Sequence, residues 1–305
     1  MGASPRVSVI MATWNWSSVL PYSIGSVLRQ DLADFELLVV GDGCTDDSEK
    51  VVKGIRDPRV EWVNLPERSG HQSGPNNEGL RRARGDYVAY LGHDDLWLPH
   101  HLSCLTAALK GGADLAYGIM RLVGPEGGAE FDSVVPEYQP GWWLPPSSVV
   151  HRRSLAAEAG GWSDYRSLTN DPDSELWSRF HAAGARFHFV PRLTAIKFPA
   201  AQRRDVYRER PCHEQAAWSS RIAAGEAVEA EELAGMLLRA KAQIQPKRFR
   251  ALLGEVGRRS VNGLLGRLGD ITGMRRPLPP GERIERQRRF KGAVSGDEAA
   301  RTLAR

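Results

Sequence analysis

The sequence predicts an α/β protein, with a mostly parallel central sheet flanked by helices and a helical C-terminal extension. Three observations carry this expectation. Short apolar runs alternate with stretches of helical period from residue 7 to residue 117. Three of the runs end in loops rich in Asn, Asp or Gly. The last of these loops places Asp94-Asp95 just beyond the run Tyr87–Leu91, at the sheet edge where open α/β folds bind ligands.

The elements follow in order. Val7–Met11 is the first strand. Val19, Leu20, Ile24, Val27 and Leu28 keep a helical period, with Ser17 or Ser18 as the expected cap. Phe35–Val40 is a strand, Asp47–Ile55 a helix with Thr45 as a candidate cap, and Val60–Val63 a strand. A helix over Gly74–Arg84 precedes the strand Tyr87–Leu91, and a helix over Pro99–Leu109 precedes the strand Asp114–Tyr117. Gly124–Gly128 reads as a hairpin tip and Pro136–Ser148, rich in Pro and Trp, as a loop lining a cleft. Val149–Ala159 and Asp173–Ala183 read as helices and Arg186–Val190 as a strand. Charged helical signal runs on from Asp205, broken by glycines between Gly254 and Gly273 and by a turn at Pro277–Gly281.

Composition bounds the class. A chain of 305 residues accommodates one large α/β domain and a smaller C-terminal part. Its longest apolar runs fall short of a membrane span, and the start leaves no room for a signal peptide. Cys44, Cys104 and Cys212 form no zinc or redox pattern, and a reducing cytoplasm fits them. Net charge is +4, but residues 245–305 hold 15 Lys and Arg against 6 Asp and Glu, a local +9. Such a tail is either a solvated face or a contact with an anionic partner such as a membrane surface. Phe249, Leu252, Leu253, Val256, Leu264, Leu265 and Leu268 recur near helical spacing within it, which suits packing onto the main domain or lying on a membrane.

The carboxylate pair is the strongest chemical signal. Adjacent carboxylates repel unless a cation or strong donors lie between them, and hard divalent cations share oxygen ligands with substrate phosphates. Capping of the helix that starts near Pro99 is the plain alternative. The other two loops, Ala12-Thr13-Trp14-Asn15 and Gly41-Asp42-Gly43-Cys44-Thr45-Asp46-Asp47, stand on the same edge.

With these segments in hand, the chain resembles the family-2 nucleotide-sugar glycosyltransferases of the GT-A fold over residues 5 to 195. The resemblance rests on VSVIMATWN, VVGDGCTDDS, SGHQSGPNNEGLRRARGDYVAYLGHDD, SSVVHRRSLAAEAGGW and DPDSELWSRF, in that order. It implies a GT-A-like catalytic domain over residues 1–200, with a nucleotide-binding half 1–118 and an acceptor-binding half 119–200, followed by a basic helical extension 201–305. It also implies an inverting transfer from a UDP- or TDP-linked sugar to a hydroxyl of a glycan, a lipid-linked intermediate or a small molecule.

The resemblance assigns roles residue by residue. Thr13 and Asn15 border the nucleoside, and Asp42 binds the base. Asp94 ligates Mg²⁺ or Mn²⁺ on the diphosphate. Asp95 supports that metal shell or orients the sugar. His93, beside them, is either a contact to phosphate or metal or an exposed turn residue. Asp173 is the catalytic base, with Asp171 as its rival. Gly161 and Trp162 fall on the acceptor side, where Trp142 and Trp143 offer flat faces to a sugar. Lys197, His188, His213, Arg203 and Arg204 are candidates to approach phosphate. No nucleic-acid partner is expected.

Departures are also visible. Gly41 and Gly92 stand where the family has acids, Asn76-Asn77 where it has Arg-Asn, and Pro172 where it has Glu. A nucleotidyltransferase and a non-catalytic nucleotide-sugar binder are the rival readings. The first lacks its Gly-rich basic phosphate loop at Ala12–Trp16.

Overall fold

The sheet is organised around β1 (Val7–Thr13), whose run VSVIMAT is buried along almost its whole length, as a central parallel strand must be. It pairs in parallel with β2 (Phe35–Gly41) on one side and β4 (Tyr87–Tyr90) on the other, while β3 (Val60–Asn64) extends the parallel set beyond β2. Alternate residues serve two cores. Val7, Val9, Met11, Leu37, Val39 and Ala89 face α1 (Leu20–Leu28) and α4 (His101–Lys110). Ile10, Leu38, Val40, Val88 and Tyr90 face α6 (Pro172–Ala182) on the opposite side. The computed structural model describes residues 5–125, 131–225, 227–239 and 280–293.

Among the described residues the sheet has nine strands. Its order is β3-β2-β1-β4-β8-β6-β9-β5, with β5 at Leu96–Trp97, β6 at Leu115–Leu122, β8 at Val149–Arg152 and β9 at Phe187–Lys197; β7 (Phe131–Ser133) pairs with β6. The first four strands are parallel, and β8 runs antiparallel to both β4 and β6. The fold expectation of a mostly parallel sheet therefore holds for the first half, while the second half is mixed. Helix α2 (Ser48–Gly54) follows β2, and α3 (Ser73–Arg82) precedes β4.

Several boundaries differ from the sequence reading. The expected helix Val149–Ala159 is a strand followed by a short helix, α5 (Arg153–Glu158). Val149 and Val150 are β-branched and fill the gap between β4 and β6, where Val150 lies opposite both Ala89 and Ala116. Strand β9 continues past Pro191 to Lys197 by bulging: its register on β6 shifts between Gly118 and Ile119 and between Ile119 and Met120, which leaves Pro191, Arg192 and Thr194 as extra residues on β9. The antiparallel pairing of Leu122 with Phe131 agrees with a hairpin around residues 124–128, part of which lies outside the described residues.

The expected caps are also different. Val19 precedes α1 without a side-chain cap, and Ser18 reaches the Arg210 carbonyl instead. At α2, Asp46 rather than Thr45 accepts from the Ser48 backbone N–H, at 3.1 Å. Neither Asp94 nor Asp95 caps α4, which starts at His101.

Beyond β9, α7 (Val206–Glu209), α8 (His213–Ala223) and a helix α9 over residues 228–239 continue the chain. Ile222, Val228 and Met236 join Leu96, Ile119 and Leu193 in a third apolar cluster. A further described helix, α10 (Glu282–Phe290), docks on the turn that holds Tyr165 and Leu168. The apolar series from Phe249 to Leu268 lies outside the described residues. No helix among the described residues is long and apolar enough to cross a membrane.

Candidate active site

The C-terminal ends of β1, β2 and β4 meet at one edge. Thr13 lies opposite Gly41, the Asp42 N–H donates to the Thr13 carbonyl at 2.8 Å, and the Leu91 N–H donates to the Ile10 carbonyl at 3.0 Å. A cavity of about 560 Å³ opens there, lined in part by Thr13, Asp42, His93, Asp94, Trp143 and Asp173. Six of the sequence-predicted site residues thus come together from five separate stretches of chain.

Each is held by its neighbours. His93 shares a 2.8 Å hydrogen bond with Thr13 Oγ1, and burial pulls its imidazole down to about 4, so it is neutral at pH 7. Asp42 Oδ1 accepts from the Ser69 N–H and Oγ, both at 2.7 Å, and Oδ2 accepts from the Gly70 N–H at 2.8 Å. Most of its acceptor capacity therefore goes into fixing the loop after β3. The glycine at position 41 has a steric reason: a Cβ there would collide with Asn64 Oδ1 and the Trp62 ring.

The two acids of the pair diverge. In the β5–β9 ladder Leu96 lies opposite Ile196, which brings the preceding Asp95 to Lys197 at the end of β9. Asp95 is 0% exposed. Its Oδ2 accepts from Ser147 Oγ at 2.6 Å and Lys197 Nζ at 2.9 Å, and its Oδ1 from the Phe198 N–H at 3.2 Å. Burial works against the Lys197 ammonium, but Asp95 and Asp94 outweigh it and hold the group above the usual lysine value. Asp94 instead faces the cavity, and no other described side chain bonds its carboxylate.

This donor set does not fit a preformed Mg²⁺ or Mn²⁺ site. Asp95 is committed to Lys197, Gly92 offers no side chain, and Asp94 is the one open carboxylate of the group. Among the described residues no cluster of three His, Cys, Asp or Glu side chains could hold a metal ion.

Asp173 lies in the first turn of α6 and is 5% exposed. Burial, then the nearby Asp171 carboxylate, push it up to about 6. Trp143 Nε1 donates to its Oδ2 at 3.0 Å. Asp171 occupies the N-cap position of α6 but caps nothing with its side chain, which accepts from Arg283 Nη2 at 3.0 Å.

Other candidates fall outside the cavity lining. Asn15 has φ 44°, and its Oδ1 accepts from the Thr45 N–H at 2.7 Å, tying two loops together. Trp142 is 47% exposed and does not line the cavity, unlike Trp143. Trp162 is a core residue, 3% exposed, edge-on to Tyr90 at 5.0 Å. Gly161 has φ 76°, and Asn77 clamps the next residue, accepting from the Trp162 N–H at 2.8 Å and donating to its carbonyl at 2.9 Å. These two residues brace α3 against the loop after α5. His188 and His213 are exposed on β9 and α8, Arg203 is bound to Glu214, and Arg204 points outward beside Asp205.

The cavity also has walls that the sequence reading missed. The Arg68 guanidinium lies 3.5 Å over the Trp14 ring. Tyr207 stands 5.8 Å from His93 across the opening. Arg283, Gln287, Arg288 and Lys291 of the C-terminal segment complete the lining. Only the strand-end position of Trp14 was a usable signal; nothing in the run ERIERQRRFK says that it docks here.

The chain is similar to known proteins in sequence and in fold. A sequence profile of glycosyl transferase family 2 matches residues 8–208. The chain is 31% identical over 118 residues to the Escherichia coli UDP-Glc:alpha-D-GlcNAc-diphosphoundecaprenol beta-1,3-glucosyltransferase WfgD, covering 38% of this chain and 46% of that protein. It is 33% identical over 119 residues to the Campylobacter jejuni GalNAc(5)-diNAcBac-PP-undecaprenol beta-1,3-glucosyltransferase, covering 37% of this chain and 38% of that one. The matched part spans about half, or less, of the length of such relatives. The fold is shared with S. aureus TarS 1-349 in complex with UDP-GlcNAc, at a TM-score of 0.52 and 20% identity, over 63% of this chain and 58% of that one.

Proposed function

The chain belongs to glycosyl transferase family 2, and from that premise we propose that it is an inverting glycosyltransferase acting from a nucleoside diphosphate sugar. The observation that carries the reading is the pairing, in one cavity, of a desolvated carboxylate near pKa 6, Asp173, with the strand-end cluster Thr13, Asp42, His93 and Asp94.

A general base works best when its pKa lies just below the working pH. The acceptor hydroxyl oxygen attacks the anomeric carbon while its proton passes to Asp173. The bond from that carbon to the diphosphate oxygen breaks, and the leaving nucleoside diphosphate takes the electron pair. Trp143 holds the Asp173 carboxylate and offers the acceptor sugar an indole face. The base and ribose of a UDP- or TDP-linked donor would lie along Thr13, Trp14 and Asp42. The glycan, lipid-linked or small-molecule acceptor would enter on the Trp143 side. No step in this reading passes through a metal ion.

The experiment is a donor screen: release of UDP or TDP from UDP- and TDP-linked sugars, with and without lipid-linked or oligosaccharide acceptors, by the wild type and Asp173→Asn. Acceptor-dependent release that the substitution abolishes supports transfer. Nucleotide-sugar binding without release by either protein would move the chain to the non-catalytic class.

A further inference from the structure

The part of the basic tail that the structure describes is docked on the main domain rather than a free arm. Residues 280–293 are fastened across the cavity at several points. At the start, the Gly281 N–H donates to the Leu168 carbonyl at 2.6 Å, and Arg283 pairs with Asp171. In the middle, Arg288 Nη1 donates to Tyr165 Oη at 2.8 Å and to Glu285 at 2.9 Å. At the end, the Asp205 and Tyr207 N–H groups donate to the Phe290 and Lys291 carbonyls, both at 3.0 Å, and Arg68 donates to the Ala293 carbonyl at 2.5 Å.

This strap brings two cations to the cleft. Lys291 lines the cavity and forms no side-chain hydrogen bond or ion pair with any described residue. Arg288 is 9% exposed, lies against Gly70, and its Nε is buried without a hydrogen-bond partner among the described residues. Asp94, the one open carboxylate, is among the groups acting on Lys291 from across the cavity, together with Lys197, Asp171 and Asp173. Burial pulls the Lys291 ammonium down from the usual lysine range, and Asp94 opposes the fall. Three carboxylates act on this buried amine but none among the described residues pairs with it, so a diphosphate can still supply its direct anionic partner.

We infer that Lys291, assisted by Arg288, binds the donor diphosphate and supplies the charge compensation otherwise given by a divalent cation. The inference rests on the nucleotide-sugar reading. It also fits an Asp94–Asp95 group that leaves only the Asp94 carboxylate open to the cavity. An ammonium needs no carboxylate cage, so Asp95 is free to pair with Lys197 and position 92 can be glycine. The role of the C-terminal segment is then specific: it adds Arg288 and Lys291 to a cavity where the strand cation Lys197 is already engaged by Asp95.

The test is calorimetric binding of UDP and TDP, with uridine and thymidine as diphosphate-free controls, to the full chain in EDTA and in Mn²⁺. The proteins are the wild type, Lys291→Met and Lys291→Arg, each checked by its thermal melt. The expected result is diphosphate binding in EDTA that Lys291→Met weakens at least tenfold and Lys291→Arg largely keeps, with nucleoside binding unchanged in all three. Diphosphate binding that requires Mn²⁺, or that Lys291→Met leaves intact, overturns the inference while the nucleotide-sugar reading stands. No binding of any nucleotide under either condition overturns both.

Discussion

Trp143 Nε1 donates a 3.0 Å hydrogen bond to Asp173 Oδ2, joining an aromatic ring on the cleft loop to the buried acid of α6. The bond favours the ionised carboxylate, against the burial that disfavours it. Replacing Trp143 by Phe removes the donor and keeps an aromatic face. The Asp173 pKa should therefore rise, and the acid limb of the kcat/KM profile should move to higher pH. A profile that loses amplitude without moving would mean that the indole N–H does not tune the acid.

The same pKa fixes the direction of the pH dependence. A base raised to about 6 is protonated below that pH and cannot accept the acceptor proton. Activity should fall tenfold per pH unit below about 6 and level off above it. Asp173→Asn should remove on the order of 10²- to 10⁴-fold of the rate, the usual worth of general base catalysis. For stability the sign is opposite. The folded pKa lies above the ordinary value of 3.8, so the folded state binds this proton more tightly than the unfolded chain does. Stability linked to Asp173 is full below about pH 4 and is lost as pH rises through 6. The Asn variant, which still accepts from Trp143, should be more stable at pH 7 by about 3 kcal/mol, read from denaturant melts at pH 4 and pH 7.

Much of this architecture was legible in order and spacing. The alternation of buried runs and helical periods located β1 to β4 and the three loops at their ends, because a two-sided parallel sheet needs those runs. What stayed hidden depended on contacts between distant segments. Val149-Val150 looks helical until β4 and β6 leave a strand-wide gap between them. Lys197 becomes Asp95's partner only through the antiparallel register of β5 and β9. Asn15 and Trp162 carry family-like signatures, but hydrogen bonds and packing use them to hold loops. The docking of α10 has no local signal at all, since its sequence reads as an exposed charged helix.

The Asp95–Lys197 pair should behave as a buried ion pair. Lys197→Met leaves a fully buried carboxylate without its cation, which costs about 3 kcal/mol or more. Asp95→Asn in the same protein removes the stranded charge and keeps the Ser147 contact, so the double variant should recover most of the loss. Urea melts of the four proteins of this cycle measure the coupling. Additive losses would show that Ser147 and the Phe198 N–H alone satisfy Asp95.

Gly161 offers a purely structural prediction. It sits at φ 76°, and a Cβ there would meet Asn77 Oδ1 at 2.5 Å. The Gly161→Ala variant therefore incurs left-handed backbone strain and disturbs the amide clamp on Trp162. A loss of about 2 kcal/mol is expected, with donor binding unchanged because neither residue lines the cavity. A weaker nucleotide affinity at unchanged stability would return this turn to the binding site.

Gly92 is the position where the family's acid is missing, and restoring it separates the two ways of neutralising a diphosphate. A Cβ at residue 92 would stand 2.8 Å from Asp95 Oδ2 and 3.3 Å from Asp94 Oδ1. Gly92→Asp thus crowds a third carboxylate into a group that Lys197 pairs directly and Lys291 faces from across the cavity. Without metal the protein should lose about 2–3 kcal/mol, since like charges at this range in a buried site repel strongly. A divalent cation would then have the carboxylate cluster it now lacks, so Mn²⁺ should raise the melting temperature of the variant and leave the wild type unmoved. Mn²⁺ stabilising the wild type to the same extent would mean that Asp94 already suffices to hold the ion.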